Sequence, residues 1–177
     1  MSTFAERIIG AAKLNPRMYE EIESDPSSIK QAIAVILLSS VAGGVGVLVP
    51  GVGIEGVFWG IVTTLLSWAL WAAIVYGVGG KLMAKPQTSS SISEVMRVIG
   101  FASAPGLIRV FGLYAPLRTP VFFIAAIWML IAMVIAVREA LDYESTARAV
   151  AVVLVGWVCQ VALALFLLWI NGLVVVV

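Results

Sequence analysis

The chain has 177 residues, 62% of them hydrophobic and 12% charged, with a mean hydropathy of +1.08. A soluble domain carries about a quarter charged residues, so this composition excludes a disordered segment, a nucleic-acid module and an ordinary cytosolic enzyme. It calls for a polytopic membrane protein, about one domain long. Eleven Lys and Arg stand against ten Asp and Glu, histidine is absent, and Cys159 is the single cysteine. The commonest general base and metal ligand is therefore missing, and no internal disulfide can form.

In chain order, the first segment contains Glu6, Arg7 and Lys13 and no continuous apolar core, so it does not read as a cleavable signal peptide. Phe4, Ile8, Ala11 and Ala12 fall near helical spacing. They predict a short amphipathic helix, either on the cytoplasmic membrane surface or packed on the protein's own loops. Asn15-Pro16 reads as a helix cap followed by a favoured first-turn proline, and Asp25-Pro26 repeats the signal. Residues 1–28 thus form a cytoplasmic segment that ends in an acidic helix.

Apolar runs of about 20 residues predict membrane-spanning helices, because lipid offers no water to satisfy exposed backbone groups. Such runs occupy 29–49, 56–80, 120–137 and 149–170. A fifth, 95–115, carries Arg97, Arg109 and Pro105 but is otherwise apolar or small. The expected fold is all-α, with five transmembrane helices in one bundle over 29–171 and a short apolar tail, 172–177, on the non-cytoplasmic side. With five spans, nine of the eleven Lys and Arg fall on the side of the N-terminus, leaving Arg109 and Arg118 opposite. That asymmetry predicts a cytoplasmic N-terminus and argues against a four-span arrangement with Arg138 and Arg148 outside.

The run LNPRMYEEIESDPSSIKQA before the first span, YGVGGKLM at the end of the second, EVMRVIGFASAPGLI in the third and IWMLIAMVIAVREAL in the fourth resemble the Yip domain family, named for interaction with Ypt/Rab GTPases. The short prokaryotic members are the most similar. The resemblance implies five helices, a cytoplasmic N-terminus and no enzymatic chemistry. Eukaryotic members act in traffic between early secretory compartments and bind prenylated GTPases and one another. This chain lacks their long N-terminal region and its Asp-Leu-Tyr-Gly-Pro type motif, so GTPase binding is not carried over to it. The resemblance places the chain in a prokaryotic cell (inner) membrane.

Arg97 and Arg109 are the first candidate residues, since ionisable groups at membrane depth default to a functional hypothesis. Twelve residues apart, they span about 18 Å of helix, which puts one near each face. Arg97 can snorkel or pair with Glu20, Glu21, Glu23 or Asp25, and Arg109 can reach the outer interface or pair with Glu55. Pro105 frees a backbone carbonyl and favours a kink beside Ser103, a pattern also found in the broken helices that line transporter sites. Gln160, the only amide in the fifth span, reads as an interhelical hydrogen bond or a path-lining group. The cluster Glu20, Glu21, Glu23 and Asp25 reads as a solvated acidic face rather than a cation cage. Small-residue spacings at Ser40/Gly44, Gly56/Gly60 and Ala102/Gly106 indicate close helix approach.

No nucleophile has an activating base, and no metal or cofactor is expected. The function read from these residues is that of a non-enzymatic integral membrane protein, working through contacts with lipids, another membrane protein or a second copy in a membrane-organising or trafficking-like role. The alternative is a small transporter or channel component using the kinked third helix.

Overall fold

A computed structural model describes residues 2–47, 54–84 and 90–170, and among them the chain is helical throughout. Lys85 and the tail 172–177 lie outside the described residues. Two short helices, α1 (Phe4–Ala12) and α2 (Pro16–Ser24), precede α3 (Ser28–Val47) and α4 (Ile54–Gly77). The end of α4 widens into a π turn, Val78–Leu82. The third span consists of α5 (Ile92–Phe101) and a 3₁₀ segment, Ala104–Leu113. Long helices α6 (Ala115–Ala140) and α7 (Thr146–Ile170) complete the chain. Five of these stretches are long and apolar enough to cross a membrane, as the hydropathy predicts. The fourth begins five residues ahead of Pro120, because Pro116 occupies the first turn, where its missing N–H costs nothing.

The beginnings of α3, α5 and α7 and the ends of α4 and α6 gather at one end of the bundle, as an up-and-down order requires. Side chains from one element satisfy backbone groups of another there. Tyr143 Oη donates to the Gly79 carbonyl at 2.7 Å and to that of Met83 at 3.2 Å. Arg148 Nη1 donates to Met83 O at 3.1 Å. The π turn frees carbonyls from the helix ladder, and these donors take them up. Gly79 allows the approach, since a Cβ there would overlap the Leu141 side chain.

The N-terminal helices form an antiparallel hairpin against α5, α6 and the 3₁₀ segment. Of the two placements expected for the first helix, on the membrane surface or against the protein itself, α1 packs against α2, α5 and the 3₁₀ segment. α1 opens with a capping box, Thr3 and Glu6 exchanging bonds across the first turn. It closes at Leu14 in the left-handed region (φ 60°), with Leu14 N bonded to Ala11 O and Asn15 N to Gly10 O. That is the Schellman pattern, usually completed by glycine. Leu14 supplies an apolar side chain to the core instead. Tyr19 Oη and Trp128 Nε1 donate to the last α1 carbonyls, Ala11 at 3.1 Å and Ala12 at 2.7 Å.

Arg7 is the hub of the hairpin. It is 2% exposed and pairs with Asp25 at 2.7 Å and Glu21 at 3.1 Å, with a third bond to Gln31 of α3 at 3.1 Å. Removing one partner of a buried ion pair strands the other charge and is strongly destabilising. Arg7→Met is therefore expected to lower the melting temperature in detergent by at least about 5 °C. Arg7→Met/Asp25→Asn should recover part of that loss, as read by circular dichroism melts.

Candidate functional site

The third span departs from the expected kinked helix. α5 stops at Phe101, and Pro105, fully buried, sits in the first turn of the 3₁₀ segment. Runs of 3₁₀ helix beyond three or four residues are uncommon, so a ten-residue stretch needs an external cause. α3 provides it. A Cβ on Gly46 would overlap the Arg109 carbonyl oxygen, and one on Gly106 would overlap Ser39 Oγ. Backbone meets backbone along this seam, and Gly112 closes it against the Gly46 carbonyl. The α3 face in contact is Ser39, Gly43 and Gly46, at i, i+4 and i+7. The predicted Ala102/Gly106 spacing does contribute Gly106, whereas Gly44 and Gly60 face open space.

Arg109 folds back along this seam rather than outward to the far interface. Its Nε donates to Gly106 O at 3.0 Å, and its Nη2 donates to Ser39 O at 2.8 Å and to Ser39 Oγ at 2.9 Å. Gly43 makes room for the guanidinium. Ser39 lies eleven residues beyond Ser28 in a 20-residue helix, about 17 Å along its roughly 30 Å length. The cation is thus held near mid-depth. Among the described residues no carboxylate lies within ion-pair distance of Arg109, and Glu55 does not meet it.

Arg97 takes the opposite role. It is 5% exposed, and its Nε donates to the Glu23 carbonyl at 3.0 Å, joined there by Nη2. Its Nη1 donates to Ser93 Oγ at 2.9 Å, and Glu94 stands 3.9 Å away. It clamps the end of α2 to α5 through a backbone carbonyl, not through the expected acidic side chains.

The four acidic candidates separate. Glu21 and Asp25 turn to Arg7, with Glu21 also accepting from the Ser2 backbone and hydroxyl at 2.7 Å. Glu20 is exposed. The Ser27 hydroxyl, then the Arg7 guanidinium, holds the Asp25 carboxyl down at about 2. Glu23 lies apart, half-buried near Asp142, Glu94 and Glu139, and burial followed by these like charges pushes it up to about 7.

Above the seam lies a cleft of about 560 Å³ bounded by α3, α4, the third span, α6 and α7. This size falls within the range of ligand pockets. Arg109, Ser103 and Gln160 all line it, together with Ser39, Thr64 and Ser67. Trp68, Trp71 and Trp157 form aromatic walls. Trp68 Nε1 donates to Met96 O at 3.2 Å, and Trp71 Nε1 to Met133 Sδ at 3.4 Å. Gln160 makes no interhelical hydrogen bond among the described residues; it borders the cleft. The cleft opens sideways over Leu130, Leu154 and Trp157, which are 55%, 56% and 60% exposed.

The hairpin end of the bundle is filled instead. Val35, Val75, Val95, Val98, Val137 and Val152 are fully buried there. One half of the bundle is packed and the other is open to the side.

Five spans, a docked N-terminal hairpin and a broken third span are the setting for a match to the Yip1 domain over residues 14–168. The chain belongs to the Yip1-domain family. No curated protein and no solved structure matches it. The Yip1 family is a non-catalytic membrane protein family. The sequence reading missed Ser39, one of two adjacent hydroxyls in an apolar helix, of which only Ser40 fell in a recognised small-residue spacing. The i, i+4, i+7 pattern with Gly43 and Gly46 is the signal that marks it.

Glu23 yields a test of the electrostatics at the hairpin end. In the unfolded chain it ionises near 4.5, whereas in the fold it holds its proton to about 7. Between those values folding takes up a proton, so stability falls as pH rises, and below about 4.5 the difference vanishes. Glu23→Gln should therefore be more stable than the parent at pH 8, by about 1 kcal/mol after solvent screening. The gap should close by pH 4.5 in detergent melts followed by tryptophan fluorescence.

Proposed function

We propose that this Yip1-domain protein works by admitting a lipid-like molecule sideways into the cleft between α4, α6 and α7, with no covalent chemistry. The observation that carries this reading is the placement of Arg109, Ser103 and Gln160 on one laterally open cavity. Polar groups at membrane depth mark binding sites or paths by default. Three tryptophans and an apolar rim suit an amphiphile better than a water-soluble solute. The packed half at the hairpin end favours a binding cleft over a continuous channel, and Arg97, absorbed into a structural clamp, supplies no second station along a path.

The carrier reading keeps one supporting observation, the broken third span at Pro105 beside the cavity. Such breaks line transport sites in other membrane folds. The charge asymmetry supports a cytoplasmic hairpin end, and the resemblance of the spans to short prokaryotic members of the family supports a prokaryotic cell membrane.

Protein purified in mild detergent and analysed intact by native mass spectrometry should retain about one lipid. Ala126 borders the cleft and is exposed, so Ala126→Trp fills the space without disturbing the core. The variant should lose the bound lipid while its melting temperature stays within about 2 °C of the parent. Equal lipid retention in both proteins refutes the cleft as the binding place. Flux of lipid between leaflets that disappears in Ala126→Trp would favour the carrier reading.

A further inference from the structure

Arg109 has five N–H donors. The hydrogen bonds at Nε and Nη2 go to neutral oxygens, and Nη1 has no hydrogen-bond partner among the described residues. Carbonyl and hydroxyl dipoles orient a guanidinium but do not neutralise it. An ion withdrawn from water is costly unless a counter-charge accompanies it. No carboxylate and no aromatic face pairs with Arg109 among the described residues. Asp25 and Glu94, by contrast, are engaged at the hairpin end by Arg7 and Arg97.

We propose that the cleft takes the anionic headgroup of a phospholipid, with its phosphodiester against Arg109 and its acyl chains trailing over Leu130, Leu154 and Trp157 into the bilayer. The inference rests on the cleft being a lipid site and adds the charge of the ligand. Three observations support it. The cation at mid-depth has no counter-charge among the described residues. The cavity that reaches it is about 560 Å³, room for a headgroup without two full chains. The opening at Leu130, Leu154 and Trp157 is apolar-rimmed while the hairpin half is packed, so an anion carried by apolar chains finds a matching surface at the entrance. The Ser39 hydroxyl, which accepts from Nη2, keeps its own proton to donate to the same phosphate oxygens.

The test uses the full chain in vesicles of phosphatidylcholine containing brominated phosphatidylglycerol or brominated phosphatidylcholine, with quenching of tryptophan fluorescence as the readout. Trp157→Phe isolates the signal at the rim. The parent protein should favour phosphatidylglycerol by about fivefold, the attraction expected of one basic residue for one anionic lipid. Arg109→Gln should bring the ratio to about one, Arg109→Lys should keep at least half of it, and Arg118→Gln, which removes a cation outside the cleft, should leave it unchanged.

Equal quenching by both lipids in the parent, or a preference that survives Arg109→Gln, overturns the anionic assignment while leaving the lipid cleft standing. Quenching that does not change when Trp68, Trp71 and Trp157 are all replaced by Phe removes the cleft reading itself. Unbrominated phosphatidylglycerol should displace the brominated lipid. Displacement by inorganic phosphate alone, or by oleate at lower concentration, overturns the assignment to a phospholipid. If Arg109→Gln fails to fold by circular dichroism, the Arg109→Lys ratio and the competition series still decide.

Discussion

The backbone of α3 at Gly46 meets the backbone of the third span at Arg109 so closely that Gly46 has no room for a single added carbon. Much of the far half of the molecule follows from that approach. Two α-helices with ordinary side chains pack 8–10 Å apart, so this seam requires small residues on both partners. Gly43 and Gly46 supply them from α3, Gly106 and Gly112 from the third span. The third span meets α3 with its coil tightened to 3₁₀, and Pro105, which cannot complete an α-helical ladder, sits where the change occurs. The guanidinium of Arg109 is then drawn toward Ser39, because a side chain rooted in this segment leans back toward the preceding turn.

The hairpin end depends on a different principle. There the fold must bury charges to hold two short helices that would be marginal alone, since isolated helices under about 12 residues form poorly in water. α1 and α2 have nine residues each. Arg7 joins α1 to α2 and α3, and Arg97 joins the end of α2 to α5. Trp128 closes the hairpin tip onto α6. Each of these residues completes a hydrogen-bonding deficit left by a helix end or an acidic side chain, which is the condition under which buried charge is tolerated.

The five spans were legible because hydropathy over 20 residues reflects the solvent, and the solvent acts on each span separately. The location of Arg97 near the hairpin end was legible for the same reason. Arg109 was not. Its depth depends on where its side chain turns, and that depends on glycines some sixty residues earlier in the sequence. Pro105 in an apolar run is compatible with a kink or a break, and the approach of α3 distinguishes them. Arg7 escaped notice because one charge in an amphipathic pattern reads as the solvent side of the helix. Only the partners Glu21, Asp25 and Gln31, brought together by the hairpin, make it a buried hub. The cleft gathers Ser103, Arg109 and Gln160 from separate parts of the sequence, a grouping that no local pattern encodes.

The two ends therefore differ in what their charges still need. At the hairpin end, Arg7 and Arg97 have acidic or carbonyl partners and the apolar core around them is filled. Their removal is a matter of stability. Around Arg109 the partners are neutral and the neighbouring space is open, so the charge balance of the site is incomplete within the described fold. Lipid chains cover the apolar outer faces of α4, α6 and α7 without cost, but they cannot compensate a cation. A molecule that brings both an apolar chain and a negative charge meets both requirements at one place, which makes the uncompensated arginine, rather than cavity size or the break in the helix, the feature that sets what the cleft selects.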